Sequence, residues 1–198
     1  MSLLVESIKI LNGKCYNLAL HEARANRSRR EVFGIAEKCY LKKHIHIPEA
    51  FIHGLVKCRI IYGEQIQEVS FSHYLIRDIQ NVKIVVATDL TYDHKWVNRP
   101  ELDELFGLRQ SGEEIIIVNN GLVTDGYYYN LVFERQGQFY TPQSPLLKGI
   151  QREVLLKKGK IEQCDIAVED IVTYEKVHYI NALTKLNEAV INVANIIW

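Results

Sequence analysis

Two Asn-Gly dipeptides, at 12–13 and 120–121, constrain the fold of this 198-residue chain more than any other feature. Asn-Gly supplies the consecutive positive φ angles of a tight two-residue reversal, so each marks a hairpin turn between strands. Before the first, residues 3–11 alternate. Leu4, Ile8 and Ile10 share a face that also carries Glu6, which predicts a strand, with Cys15 to Leu18 as its return. Before the second, Glu113 to Val118 reads as a strand.

Between these hairpins the pattern changes. Leu20 to Tyr40 has helical spacing, with His21 and Arg24 three apart near its start and Gly34 as a point where the helix bends or breaks. Gly54 to Tyr62, Ile66 to Phe71 and the β-branched Val82 to Ala87 predict strands. Pro100 to Phe106 has proline at a helix start and acids in the first turn. Tyr127 to Glu134 and Gln138 to Tyr140 predict strands, with Tyr127 and Tyr129 on one side and Tyr128 on the other. Ser144 to Lys158 predicts a helix stopped at Gly159, Asp170 to Tyr174 and Val177 to Ile180 short strands, and Ala189 to Trp198 an extended end. Strands and helices mix without a regular βαβ rhythm, so the class is α+β. Two lobes are expected: a small α/β domain over 1–88 and a larger C-terminal α/β domain over 89–198.

A hydrophobic content of 47% and a charged content of 24% describe a globular chain, and zero formal net charge disfavours a nucleic-acid partner. Cys15, Cys39, Cys58 and Cys164 lie far apart with no CxxC, which argues against a zinc site or a disulfide framework. No apolar run reaches membrane-spanning length and the N-terminus does not read as a signal peptide, so a cytoplasmic protein is the default expectation.

Read residue by residue, the chemistry is suggestive and no more. Lys95 lies among His94, Trp96 and Asn98; a solvated loop lysine is the plain reading and an amine nucleophile the sharper one. Arg24 either pairs with an acid or binds phosphate as a planar fork. Gly149 stands where a helix N-terminus would expose backbone N–H groups to a phosphate.

In order along the chain, these pieces form a set: H-x-x-R at 21–24, K-x-x-N-R at 95–99, T-D-G at 124–126 followed by Asn130, T-P at 141–142 and G-I-x-R at 149–152. On that set the chain resembles the fold-type IV pyridoxal-phosphate enzymes, which include branched-chain aminotransferases, D-amino acid aminotransferases and 4-amino-4-deoxychorismate lyases. The resemblance implies two α/β lobes with the site between them, a barrel-like sheet in the larger lobe, pyridoxal 5′-phosphate as cofactor and a homodimer. By matching position, Lys95 corresponds to the lysine that forms the Schiff base, Arg24 to the arginine on the phosphate and Asp125 to the family's glutamate facing the ring nitrogen. Leu147 corresponds to the residue on the ring face, with Leu146 as the alternative register. The backbone at Ile150 and Gln151 corresponds to the phosphate-cradling helix start, and Ala182 to a second phosphate contact. Asn130 matches a structural position of the motif.

The resemblance implies a lyase that eliminates pyruvate from 4-amino-4-deoxychorismate, which Asn181-Ala182-Leu183 favours. An aminotransferase and a non-catalytic cofactor-binding relative are the alternatives. Asp125 is one methylene shorter than the family's glutamate, Gln151 and Ala182 offer no hydroxyl, and the strands that usually precede the stretch matching Leu4 to Ile10 are absent.

Overall fold

The structure is a computed structural model that describes residues 3–111 and 113–198. Two compact units divide it. The first holds residues up to Leu75 together with His94–Asn98, and the second holds Ile76–Asp93 and Arg99–Trp198.

In the first unit, β1 (Leu4–Leu11) turns at Asn12-Gly13, with φ of 47° and 73°, into β2 (Lys14–Cys15). Helix α1 (Leu18–Phe33) follows, then β3 (Leu55–Tyr62) and β4 (Ile66–His73), giving the antiparallel order β2-β1-β3-β4. Alternation puts Leu4, Ile8 and Ile10 of β1 beside Val56, Cys58, Ile60 and Tyr62 of β3, and these pack with Ala25 and Leu41. Each large side chain buried there stabilises the unit by roughly 2 kcal/mol. Gly34, at φ 72°, ends α1 and returns its N–H to the Arg29 and Arg30 carbonyls, so the predicted break is a termination.

Strand β2 spans two residues and pairs only with Ile10 and Leu11, so it leaves the other end of β1 uncovered on that edge. His94–Asn98 covers it. The Val5 N–H donates to the Lys95 carbonyl at 2.9 Å and the Val97 N–H to the Leu3 carbonyl at 2.8 Å, while Trp96 pairs with Leu4 and packs on the core.

The second unit contains β5 (Val82–Ala87), α2 (Pro100–Gly107), β6 (Glu114–Asn119), β7 (Leu122–Val123), β8 (Asn130–Arg135) and β9 (Gln138–Pro142). After these come α3 (Ile150–Lys157), β10 (Glu162–Cys164), β11 (Lys176–Ile180), β12 (Val190–Asn192) and β13 (Ile196–Ile197). The strands of this unit form two sheets, ordered β10-β9-β8-β11-β12 and β13-β5-β6-β7. Their shared core includes Ile116, Val118, Leu131, Phe133, Val177 and Tyr179.

Four expectations change. The boundary near 88 gives way to Leu75/Ile76, because Val82–Ala87 finds its partner in parallel register on Glu114–Asn119. The helix expected from Ser144 starts at Ile150, because the Gln143 and Leu147 backbone groups bond elsewhere and Pro145 disfavours helix before it. Residues Val168–Thr173 form a 3-10 turn instead of a strand, with the Thr173 hydroxyl donating to the Asp170 carbonyl. The three tyrosines precede β8 instead of alternating within it, because the Gly126 N–H donates to the Tyr129 carbonyl and folds that stretch into a turn.

Candidate active site

The first unit carries Arg24 and Lys95. Arg24 projects from α1 onto Glu6 of β1, donating from Nε to Oε1 at 2.8 Å and from Nη2 to Oε2 at 2.6 Å. Both are buried, and His21 Nδ1 lies on the same Glu6 oxygen. Burial alone would raise the Glu6 carboxyl; the Arg24 charge and the bonds from His21 and Arg24 outweigh it and hold the group down at about 2. Lys95 follows His94, whose Nδ1 lies 3.2 Å from Ser28 Oγ, and precedes Trp96, fixed in the core. Arg24 and Lys95 are therefore tied to neighbouring residues of β1, the first through the Glu6 side chain and the second through the Val5 backbone.

On the sheet face away from α1, Lys9 stands opposite Lys57, and Arg59 opposite Ser7. Cross-strand partners point the same way, so three cations share that face. Sequence reading missed them; the alternation of β1 and β3 with their register was the signal.

The second unit carries Asp125, Leu147, Ile150, Gln151 and Ala182. Asp125 is buried. Its Oδ1 accepts from Asn130 Nδ2 at 2.7 Å and its Oδ2 from the Leu147 N–H at 2.9 Å. Asn130 Nδ2 also donates to the Leu147 carbonyl at 2.8 Å. Burial pushes the Asp125 carboxyl up to about 7, against the Leu147 N–H, the Asn130 amide and the Arg152 charge, which pull it down. Gly149 is the N-cap of α3, and no side chain caps that helix. The N–H groups of its first turn, Ile150 and Gln151 among them, have no intrahelical acceptor.

Arg152 turns away from this end. It donates to Thr141 Oγ1 at 3.3 Å, and from Nη2 to the Pro142 carbonyl and Gln163 Oε1, each at 2.8 Å. The T-P and G-I-x-R motifs are thus one hydrogen-bonded cluster holding α3 to β9 and β10. Ala182 lies in a turn after β11 in which Asn181 Oδ1 accepts from the Leu183 and Thr184 N–H groups, both at 2.9 Å. Thr184, fully buried, has a hydroxyl with no hydrogen-bond partner among the described residues. Spacing gave no signal for Thr184.

The last motif residue, Arg99, donates from Nη1 to the Tyr127 carbonyl at 3.1 Å. Its guanidinium lies 4.0 Å from the Tyr127 ring centre and 4.8 Å from that of Tyr128. Phe106 stacks on Tyr127 at 3.8 Å and Arg109 caps Phe106 at 3.4 Å. This ladder fixes the segment that follows Asp125.

Residues 65–189 match the amino-transferase class IV family. The chain belongs to that family. Class IV aminotransferases are the fold-type IV pyridoxal-phosphate enzymes, and the mixed α/β architecture in two units agrees with that membership. The chain is 37% identical over 185 residues to an uncharacterized protein of Haemophilus influenzae, covering 92% of this chain and 98% of the other. The crystal structure of a candidate 4-amino-4-deoxychorismate lyase from Haemophilus somnus superposes with a TM-score of 0.87 at 32% identity, covering 94% of this chain and 98% of that one. A candidate amino-acid aminotransferase from Mesorhizobium loti shares the fold with a TM-score of 0.80 at 20% identity, over 96% and 99% of the two chains. No helix among the described residues is long and apolar enough to cross a membrane.

Proposed function

We propose that this class IV enzyme binds pyridoxal 5′-phosphate and acts on 4-amino-4-deoxychorismate, releasing pyruvate and 4-aminobenzoate. The likeness to the Haemophilus somnus protein, at 32% identity over 98% of its length, carries the substrate reading.

Each unit taken by itself offers residues whose chemistry fits part of the cofactor. Arg24 offers a guanidinium already oriented by Glu6, and the uncapped start of α3 at Ile150 and Gln151 offers N–H groups for a phosphate. Ala182 adds a backbone contact in the turn that also holds the orphaned Thr184 hydroxyl. Leu147 supplies apolar surface for a ring face. Asp125 supplies the carboxylate for a ring nitrogen, and its burial favours a cationic partner over water. When bound, the cofactor supplies an electron sink next to the substrate's α-carbon. The Lys95 amine would hold the cofactor and, when free, would take the proton from the substrate carbon that bears the amine. With that proton gone, the C–O bond to the three-carbon side chain would break, so that this side chain would leave as enolpyruvate and become pyruvate. The aromatised ring would then be released through its amine as 4-aminobenzoate. A homodimer is part of the same proposal, and light scattering at micromolar concentration checks it.

Absorption spectra with and without borohydride, on wild type and Lys95→Ala, test the cofactor reading. A reducible adduct in wild type alone supports it, and the same adduct in both sinks the role of Lys95. Assaying pyruvate and 4-aminobenzoate beside keto-acid formation from an amino acid panel tests the substrate. Turnover confined to the panel replaces the lyase by an aminotransferase.

A further inference from the structure

One side chain in the second unit meets three of the groups assigned above. Asn130 Nδ2 donates both to Asp125 Oδ1 and to the Leu147 carbonyl. Its Oδ1 stands so close to Gly149 that a Cβ there would lie 1.9 Å from it. The N-cap of α3 must therefore be glycine for this amide to keep its place. Asn130 itself is buried, at the start of β8, and contacts the strand pair through Asp125 on one side and Ile180 of β11 on the other.

We propose that Asn130 is the positioning residue of the cofactor site: one amide sets the ring-nitrogen acid Asp125, the ring-face residue Leu147 and the phosphate-facing start of α3 in a single register. The inference rests on the pyridoxal-phosphate reading above. The physical argument has two parts. Asp125 is already pushed up to about 7 by burial, with Asn130 among the groups opposing that rise. Losing the Asn130 donor favours the neutral acid, which cannot balance a protonated ring nitrogen. The second part is steric. The Asn130 oxygen and the Gly149 backbone occupy touching positions, so a change at either moves the helix start.

The test uses purified full-length wild type, N130A, N130D, N130S and G149A. Three quantities are read: the pyridoxal-phosphate dissociation constant by fluorescence, the pH at which the bound ring nitrogen loses its proton by absorbance, and the borohydride-fixed adduct at Lys95 by mass spectrometry. N130A is expected to weaken binding about ten-fold and lower that pH by about one unit, whereas N130D, which keeps negative charge beside Asp125, weakens binding without lowering it. G149A does the same as N130A by displacing the amide, and N130S, which keeps a donor, falls between N130A and wild type. Wild-type binding and an unmoved pH in N130A and G149A overturn the proposal while leaving the cofactor reading intact. Loss of the cooperative thermal transition in all four variants also overturns it, because Asn130 is then needed to fold and not to position. Absence of the adduct in wild type removes the cofactor reading and the inference with it.

Discussion

Glu6 holds Arg24 through two hydrogen bonds, at 2.8 and 2.6 Å, with both side chains buried. Removing one member of such a pair strands the other charge without water. Glu6→Ala is expected to cost about 3–5 kcal/mol in urea unfolding. Replacing both by apolar residues, Glu6→Leu with Arg24→Met, costs much less. A double variant as unstable as the single one would refute the stranded-charge account.

Glu6 and Asp125 pull pH dependence in opposite directions. The Glu6 carboxyl is held at about 2, below its ordinary 4.5, so its stabilisation is present above 4.5 and is lost as pH falls toward 2. The Asp125 carboxyl is raised to about 7 from 3.8, so the cofactor-free protein is most favoured by this group below 3.8 and loses that stability as pH rises through 7. The loss is at most roughly 4 kcal/mol. Thermal melts of the cofactor-free protein across pH 3 to 8 check this, and Asp125→Asn should remove the decline toward pH 8. A decline of equal size in that variant assigns it to another group.

Arg99 is expected to act on stability through the Tyr127–Tyr128 turn. Arg99→Ala costs about 1–2 kcal/mol and speeds amide exchange over 126–129. Arg99→Lys restores little, because a lysine cannot stack as a planar group. Exchange unchanged in both variants would show that the ladder does not hold the turn.

Thr184→Val removes a buried hydroxyl that has no partner among the described residues. The cofactor-free variant should be as stable as wild type or gain up to about 1 kcal/mol. A loss of about 2 kcal/mol in calorimetry points to an ordered water on that hydroxyl.

Much of the fold is legible in local chemistry. The Asn-Gly turns, the β-branched run at 82–87 and the Pro-led helix at 100 follow from backbone preferences that tertiary contacts do not overrule. The illegible parts are those where distant groups compete for backbone hydrogen bonds. Leu147 has the composition of a helix residue, yet its N–H and carbonyl are taken by Asp125 and Asn130, 22 and 17 positions away. The site divides likewise. Lys95, Arg24 and Asp125 stand out by motif order, whereas Glu6 reads only as a polar break in an apolar face. Its service to Arg24 depends on α1 crossing β1, which no local pattern announces. The lobe boundary failed for a related reason: the partner of β5 lies beyond a helix that the chain has yet to make.

The return of His94–Asn98 to the first unit has a consequence for dissection of the chain. Two covalent crossings separate that pentapeptide from Leu75, and its carbonyls and N–H groups finish the edge of β1. A fragment cut after residue 75 would expose an open strand edge, a template for self-association. Ordinary truncation therefore cannot isolate the first unit, and a fusion that restores 94–98 needs a linker across the sheet, because residue 75 leaves β4 at the edge and end opposite to the place where 94–98 pairs with β1. The same stitch means that Lys95 cannot be inherited separately from β1: recombination between relatives that breaks the chain anywhere from 76 to 93 exchanges the lysine without the strand that seats it.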